Sequence, residues 1–296
     1  MSKVSTLISL FKEKRNIVAP LGANGFFKWM SDEQYLCLLY KSIMHKKLNL
    51  KNPTTFNEKL QWLKINDKNP KYVSLVDKIS AKQIVGSIIG NEHIVKTYAI
   101  WDRAEEIDFS ILPNQVVLKC NHDQGSVMII NDINSINKKE VINTFKKRLK
   151  YSPFEGTREY AYKEITPKVF AEELLEDQII DYKFYCFNGE PRFLYCGQGL
   201  TADHTLKIDF YDMNWKLMPF YRTDYHRLGL IEKPDKFELM KSIARKLSEG
   251  VPFVRIDLFE VKGNVYFSEF TLCPASGFMP FEPEEYDAIV GEWLKL

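Results

Sequence analysis

Through residues 31–65 the apolar positions recur at helical spacing, and from about residue 93 they give way to short runs that alternate as strands do. Ser31 and Asp32 offer an N-cap ahead of Tyr35, Leu36, Leu38 and Leu39. Thr55 and Glu58 carry a capping-box signature ahead of Leu60, Trp62 and Leu63. The spacing predicts a largely helical first region, then a helix over 77–89, a strand at 93–98 and a stronger one at 115–118, after the break at Leu112-Pro113-Asn114. Beyond a helix at 138–149 the second half reads mainly as sheet, with strands at 169–174, 182–187, 192–197, 206–211 and 254–261 and a helix at 236–247. Asn188-Gly189 and Lys262-Gly263-Asn264 are hairpin turns. This is an α+β pattern with no internal repeat.

The second hairpin carries the most information. With a loop at 262–264, Val261 pairs with Val265, and counting outward sets Phe259 opposite Phe267, Asp257 opposite Glu269 and Arg255 opposite Thr271. Alternation then puts Val254, Ile256, Leu258, Tyr266, Phe270 and Leu272 on an apolar face and the two carboxylates on the other. Like charges directly across a ladder destabilise it unless compensated. A hard cation such as Mg²⁺ would compensate them, and Arg255 would share in it. A solvated face with its register shifted by a bulge is the competing reading.

Composition narrows the picture modestly. At 296 residues, 45% hydrophobic, the chain has enough apolar content for a substantial core. A formal net charge of +2 singles out neither nucleic acid nor an anionic membrane. Five scattered cysteines without a C-x-x-C pair read as buried thiols of a reducing, cytoplasmic compartment, and no histidine spacing supports zinc. No run of about 18 apolar residues suggests a spanning helix, so membrane contact is expected to be at most peripheral, through an amphipathic helix at residues 4–11 for which docking on its own protein is the commoner explanation.

Further polar groups cluster in the middle of the chain. Val116-Val117-Leu118-Lys119 ends a strand with a lysine, and Cys120-Asn121-His122-Asp123-Gln124-Gly125-Ser126 follows as a turn-rich loop whose backbone N–H groups could cradle phosphate; such a loop is also common where no nucleotide binds. Lys78 and Lys82 fall on one helical face, which on its own is more often a solvated surface. Glu172-Glu173-Leu174-Leu175 leaves one strand and Asp181-Tyr182-Lys183 opens the next.

In this order, Asp77-Lys78…Lys82, Lys119 with Gly125-Ser126, Glu172 to Leu175, Asp181-Tyr182-Lys183 and Arg255-Ile256-Asp257…Glu269 resemble the ATP-grasp superfamily. More narrowly, Asn52-Pro53-Thr54-Thr55-Phe56-Asn57-Glu58-Lys59, Lys119-Cys120-Asn121-His122, Asp181 to Gly189 and Phe253 to Leu258 resemble its TupA-like branch, found in bacterial surface-polysaccharide clusters. The resemblance implies an ATP-grasp fold with a helical region at 1–75, a small lobe at 76–170 and a large lobe at 171–296, ATP lying between the lobes. It implies adenine against Glu172, Glu173, Leu174 and Leu175, and phosphates under Gly125 and Ser126 with Lys82 and Lys119 on their oxygens. Asp181 would lie near the ribose, Lys183 nearer the phosphates, Mg²⁺ on Asp257 and Glu269, and Arg255 on the transferring phosphoryl group. Many relatives carry an asparagine metal ligand where this chain has Thr271.

The function so implied is an ADP-forming carboxylate–amine ligase that joins an amino acid or related amine to a uronic acid of a surface saccharide. His122, Arg158, His204, Ser276 and Gly277 are candidates for handling that substrate, or ordinary loop groups. A glycosyltransferase of the same pathway is the alternative, although no Asp-x-Asp motif or glycine fingerprint supports it. A nucleic-acid module is suggested only by Lys146-Lys147-Arg148 and Lys150, a pattern typical of a solvated helix face, and no nucleic-acid partner is expected.

Overall fold

The early helices begin where the capping signatures place them. Ser31 accepts from Gln34 N and Thr55 from Glu58 N, each within a complete capping box. The computed structural model describes residues 17–175, 179–199 and 205–296. Its helices are α1 (Val18–Ala23), α2 (Asp32–Met44), α3 (Phe56–Asn66), α4 (Lys71–Val76), α5 (Lys78–Ile89), α6 (Lys138–Arg148), α7 (Pro153–Thr157), α8 (Phe237–Leu247) and α9 (Tyr286–Trp293). The strands are β1 (Thr97–Trp101), β2 (Val116–Cys120), β3 (Met128–Ile130), β4 (Val169–Glu173), β5 (Asp181–Phe187), β6 (Glu190–Gln198), β7 (Lys207–Asp212), β8 (Tyr221–Arg222), β9 (His226–Arg227), β10 (Phe253–Val261), β11 (Asn264–Thr271) and β12 (Phe281–Glu282).

Two sheets frame the molecule. The smaller runs β1-β4-β2-β3 and the larger β11-β10-β5-β6-β7-β9. One face of the smaller sheet packs Val116, Leu118, Val169 and Ala171 against Val141 and Phe145 of α6, leaving Lys119 and Glu172 on the other face. On the larger sheet, Phe184, Cys186, Val254, Ile256 and Leu258 pack against Ala81 and Val85 of α5 and against Phe237, Met240 and Ile243 of α8. The opposite face has its apolar cluster at one end, where Tyr185, Phe187, Phe193 and Phe253 meet Phe56 and Leu60 of α3. At the other end that face carries Asp181, Lys183, Asp257 and Glu269.

Two expectations need correction. The strand expected at 93–98 begins later, at Thr97, because Asn91–His93 forms a 3-10 turn after Gly90. In the hairpin, the loop is Lys262-Gly263: Val261 pairs with Asn264, Phe259 with Tyr266 and Leu258 with Phe267, while Ser268 stands unpaired before Asp257 meets Glu269. A tighter turn and a bulge cancel, so Asp257–Glu269 and Arg255–Thr271 pair as expected. Phe267 rather than Tyr266 enters the core. The five cysteines are free thiols, four buried and Cys37 half-buried. Among the described residues no helix is long and apolar enough to cross a membrane, and residues 4–11 lie outside them.

Candidate active site

Three adjacent strands set three charged side chains in a row, with Lys183 on β5 opposite Asp257 on β10 and Asp257 opposite Glu269 on β11. Asp257 is fully buried. Arg255 binds it in a fork, Nε to Oδ1 and Nη2 to Oδ2, both at 2.6 Å, and Lys183 Nζ reaches Oδ2 at 2.7 Å. Arg255 Nη2 also donates to Thr271 Oγ1 at 2.9 Å and lies 3.4 Å from Glu269 Oε1. Thr271 thus orients the arginine here. Asp181 Oδ2 stands 3.4 Å from Lys183 Nζ.

The electrostatics follow from this geometry. Burial by itself would raise the Glu269 carboxyl, but Lys78, then Lys183 and Arg255, bring it down to about 2. Burial raises Asp257 against the pull of Arg255 and Lys183; against burial, Asp181 and then Asp257 hold Lys183 protonated, and Asp257 does the same for Arg255. The pair is compensated by cations of the chain itself.

A second cluster comes from the smaller sheet and α5. Glu172, buried on β4, receives Lys82 on Oε2 at 2.7 Å and Lys119 on Oε1. Lys82 also donates to Thr97 Oγ1 and Val95 O, each at 2.9 Å. Burial raises the Glu172 carboxyl, yet Lys119 and then Lys82 outweigh it and leave the group below its ordinary value. Lys78 and Lys82, one turn apart on α5, reach Glu269 at 3.6 Å and Glu172 at 2.7 Å, so the two clusters adjoin.

The 120–126 loop is tied down from within. Ser126 Oγ donates to Asp123 Oδ1 and accepts from Cys120 N at 2.9 Å, so its hydroxyl is already committed. Asn121 is bound to Asp77 Oδ1 (3.0 Å), Thr166 O (3.1 Å) and Lys168 N (2.7 Å). Gly125, at φ +97°, faces open space. Its carbonyl accepts from Arg148 at 3.4 Å, and Lys146 pairs with Glu105 at 2.5 Å, so part of the basic run is engaged within the protein.

The turn after β11 is strained. Ala275, Ser276 and Gly277 are all left-handed, at φ 49°, 50° and 70°, a conformation that costs the non-glycine residues about 1–3 kcal/mol each. Buried side chains hold it. Gln61 Nε2 donates to Ser276 O (2.9 Å) and Gly277 O (2.8 Å), Lys64 Nζ to Ser276 O (2.8 Å), and Ser276 Oγ to Glu159 Oε1 (3.1 Å). Burial raises Glu159 and lowers Lys64. Gln61, Lys64 and Glu159 carry no motif, and in the sequence they look like ordinary residues of a helix and a loop.

Other expected residues make contacts of their own. Arg158 is buried, caps α7 in a left-handed conformation, donates to Phe27 O at 2.9 Å and stacks 4.6 Å from the Tyr35 ring, so it fastens α1 and α2 to α7. His122 is buried with Nε2 3.1 Å from Tyr151 O, and burial lowers its pKa. Glu173 donates its N–H to Lys96 O at 2.9 Å; Leu174 and Leu175 follow, half-buried, beyond the strand. His204 lies outside the described residues.

The donor set suits a magnesium ion that shares its coordination with phosphates. Such an ion takes one or two carboxylates and keeps other positions for phosphate and water. Glu269 offers a partly exposed carboxylate and Asp257 a buried one that Arg255 and Lys183 now engage, and among the described residues no cluster of three or more metal-binding side chains exists that would favour an all-protein cage.

A family model described as TupA-like ATPgrasp matches residues 58–295. Among solved structures, the chain is similar to D-alanine–D-alanine ligase from Bacillus anthracis complexed with ATP (14% identity, TM-score 0.39, covering 67% of this chain and 53% of that one). It is also similar to the ATP-grasp ligase PsnB complexed with precursor peptide PsnA2 and AMPPNP (11% identity, TM-score 0.41, 92% and 72%) and to D-alanine–D-alanine ligase from Helicobacter pylori (13%, 0.38, 75% and 61%). The chain spans about half the length of the Bacillus anthracis ligase. The comparison with curated proteins found no match.

Proposed function

The chain belongs to the TupA-like ATP-grasp family, and from that premise we propose that it is a magnesium-dependent ligase that uses ATP to activate a carboxylate and joins it to an amine. The observation that carries the proposal is the cross-strand Asp257–Glu269 pair beside Lys183 and Arg255, next to Lys82 and Lys119 on Glu172. In this reading residues 76–170 and 171–296 are the lobes enclosing the nucleotide, and 1–75 a helical region.

The reaction begins as a substrate carboxylate oxygen attacks the γ-phosphorus of ATP; the bond to the bridging oxygen breaks, releasing ADP and leaving an acyl phosphate. An amine then attacks the acyl carbon, phosphate departs with its bonding electrons, and the amine loses a proton as the amide forms. Bound Mg²⁺ would supply charge neutralisation at the phosphates. The chain positions and neutralises. Lys82 and Lys119 hold phosphate oxygens, Glu172 orients both lysines, Asp181 meets the ribose, and the backbone beside Gly125 and Ser126 covers the phosphates. Residues 172–175 flank adenine, Arg255 steadies charge on the transferring phosphoryl group, and Ser276 and Gly277 shape the acyl-phosphate pocket. No side-chain nucleophile is required.

For the substrate we propose a uronic acid of a bacterial capsular or other surface saccharide and an amino acid or related amine, handled in the cytoplasm. The support is the family together with the abundance of cations around the site. The test is product analysis: ADP and phosphate should appear only when both a carboxylate and an amine are present. Release of AMP would exclude the acyl-phosphate route.

A further inference from the structure

Lys78 touches both the 121–126 loop and the carboxylate pair. It is the first residue of α5, directly after the N-cap Asp77. Its backbone N–H donates to Asn121 O at 3.1 Å, its ammonium donates to Asp123 O, and the same ammonium stands 3.6 Å from Glu269 Oε2. Only 13% of the side chain is exposed. An ammonium carries three donors, so one group serves both contacts.

The surroundings make these contacts consequential. Asp123, a residue of that loop, is buried, and its Oδ2 has no hydrogen-bond partner among the described residues, with Arg148 Nη1 4.0 Å away. Lys78 faces Glu269 Oε2 while Arg255 Nη2 stands 3.4 Å from Oε1, so each oxygen has its own cation. A divalent cation on Glu269 repels the ammonium beside it, and at this separation like charges interact strongly even under partial screening. Relief of that repulsion moves the ammonium, and the Asp123 carbonyl is bound to it.

We infer that Lys78 is a positioning residue that couples occupancy of the Asp257–Glu269 pair to the placement of the phosphate-covering loop. The inference rests on the nucleotide–magnesium reading of this site. It assigns α5 a role beyond carrying Lys82: metal on the larger sheet is sensed at the loop of the smaller one. Two signatures follow. Removing the charge should tighten binding of the metal alone, because a competitor for Glu269 is gone, and should uncouple the loop from the metal.

The experiment measures hydrogen exchange of residues 121–126 in the full chain without additions, with MgCl2, with ADP and with both, together with calorimetric titration of MgCl2 and ADP, on wild type, Lys78→Met and Lys78→Arg. In the wild type, MgCl2 with ADP should change exchange in the loop. Lys78→Met should raise exchange there about tenfold without additions, bind Mg²⁺ several-fold more tightly, and lose the metal-linked change. Lys78→Arg should follow the wild type. Equal metal-linked changes in wild type and Lys78→Met would overturn the coupling, as would weaker Mg²⁺ binding by that variant. Should Lys78→Met fail to fold, the wild type decides: nucleotide binding with no change in the loop overturns the inference. Absence of both ADP and Mg²⁺ binding in the wild type would instead refute the site reading, and the inference with it.

Discussion

Asp257 and Glu269 face each other across the β10–β11 ladder one residue past the unpaired Ser268, with Lys183 opposite Asp257 on the next strand. The two acids are unequal partners. Asp257 is wholly buried under the Arg255 fork and Lys183, whereas the Glu269 side chain keeps 22% of its surface exposed and meets Lys78 at 3.6 Å.

That inequality separates two substitutions. Asp257→Asn takes from Arg255 and Lys183 the carboxylate each binds at 2.6–2.7 Å, leaving only Asp181 and Glu269 at 3.4 Å, and should cost about 3–5 kcal/mol of stability as well as activity. Glu269→Gln should lower turnover at least about a hundredfold with a smaller stability loss, about 2–3 kcal/mol near neutral pH. Denaturant melts and rates on both variants check this.

Acid titration gives a second expectation. Glu269 is depressed from 4.5 to about 2, and Glu172 is also depressed. A depressed carboxyl contributes stability that is fully present above the unfolded value and is lost as pH falls through the folded one. Stability should therefore decline from about pH 5 toward pH 2, Glu269 accounting for roughly 2–3 kcal/mol after allowance for its partial exposure. In Glu269→Gln the decline should be correspondingly shallower. Denaturant unfolding at a series of pH values reads it out.

The left-handed turn gives a third. A Cβ on Gly277 would lie 2.5 Å from Gln61 Nε2 and 3.1 Å from Leu60 Cβ, whereas one on Gly125 meets nothing within 4 Å. Gly277→Ala should cost about 2–4 kcal/mol and Gly125→Ala only about 1 kcal/mol, since the second adds backbone strain alone. Thermal melts of the two variants make the comparison.

Arg158 supplies a fourth, directed at its structural role. Arg158→Met removes the bonds to Phe27 and Glu155 and the contact with Tyr35, and should lower stability by about 3 kcal/mol. Adenine-nucleotide affinity of the folded variant should stay within about twofold of wild type. A tenfold loss of turnover with nucleotide affinity unchanged would return Arg158 to the handling of substrate.

Much of this was legible in the sequence, for identifiable reasons. Capping at Ser31 and Thr55 is local chemistry, and the core face of the second half follows from alternation. The hairpin shows the limit. Alternation gives faces, but it cannot tell a three-residue loop from a two-residue turn followed by a bulge at Ser268. The pairing of Asp257 with Glu269 emerged because the two shifts cancel. Arg158 reads as a loop residue, for substrate or not, since the partners Phe27, Asp32 and Tyr35 lie more than a hundred positions away. Lys78 was ambiguous for a related reason: Asp123 and Glu269 become its neighbours only when both sheets are in place. Gln61, Lys64 and Glu159 were silent, because a buried hydrogen bond to a distant carbonyl leaves no periodicity behind.

The most direct measurement is calorimetric binding of ADP, a non-hydrolysable ATP analogue and UDP-sugars, each with and without Mg²⁺, to wild type and Glu269→Gln. Magnesium-dependent binding of the adenine nucleotides, weakened at least about tenfold by the substitution, is the expected result. Binding of a UDP-sugar with no affinity for adenine nucleotides would contradict the ATP-dependent ligase and favour a glycosyltransferase.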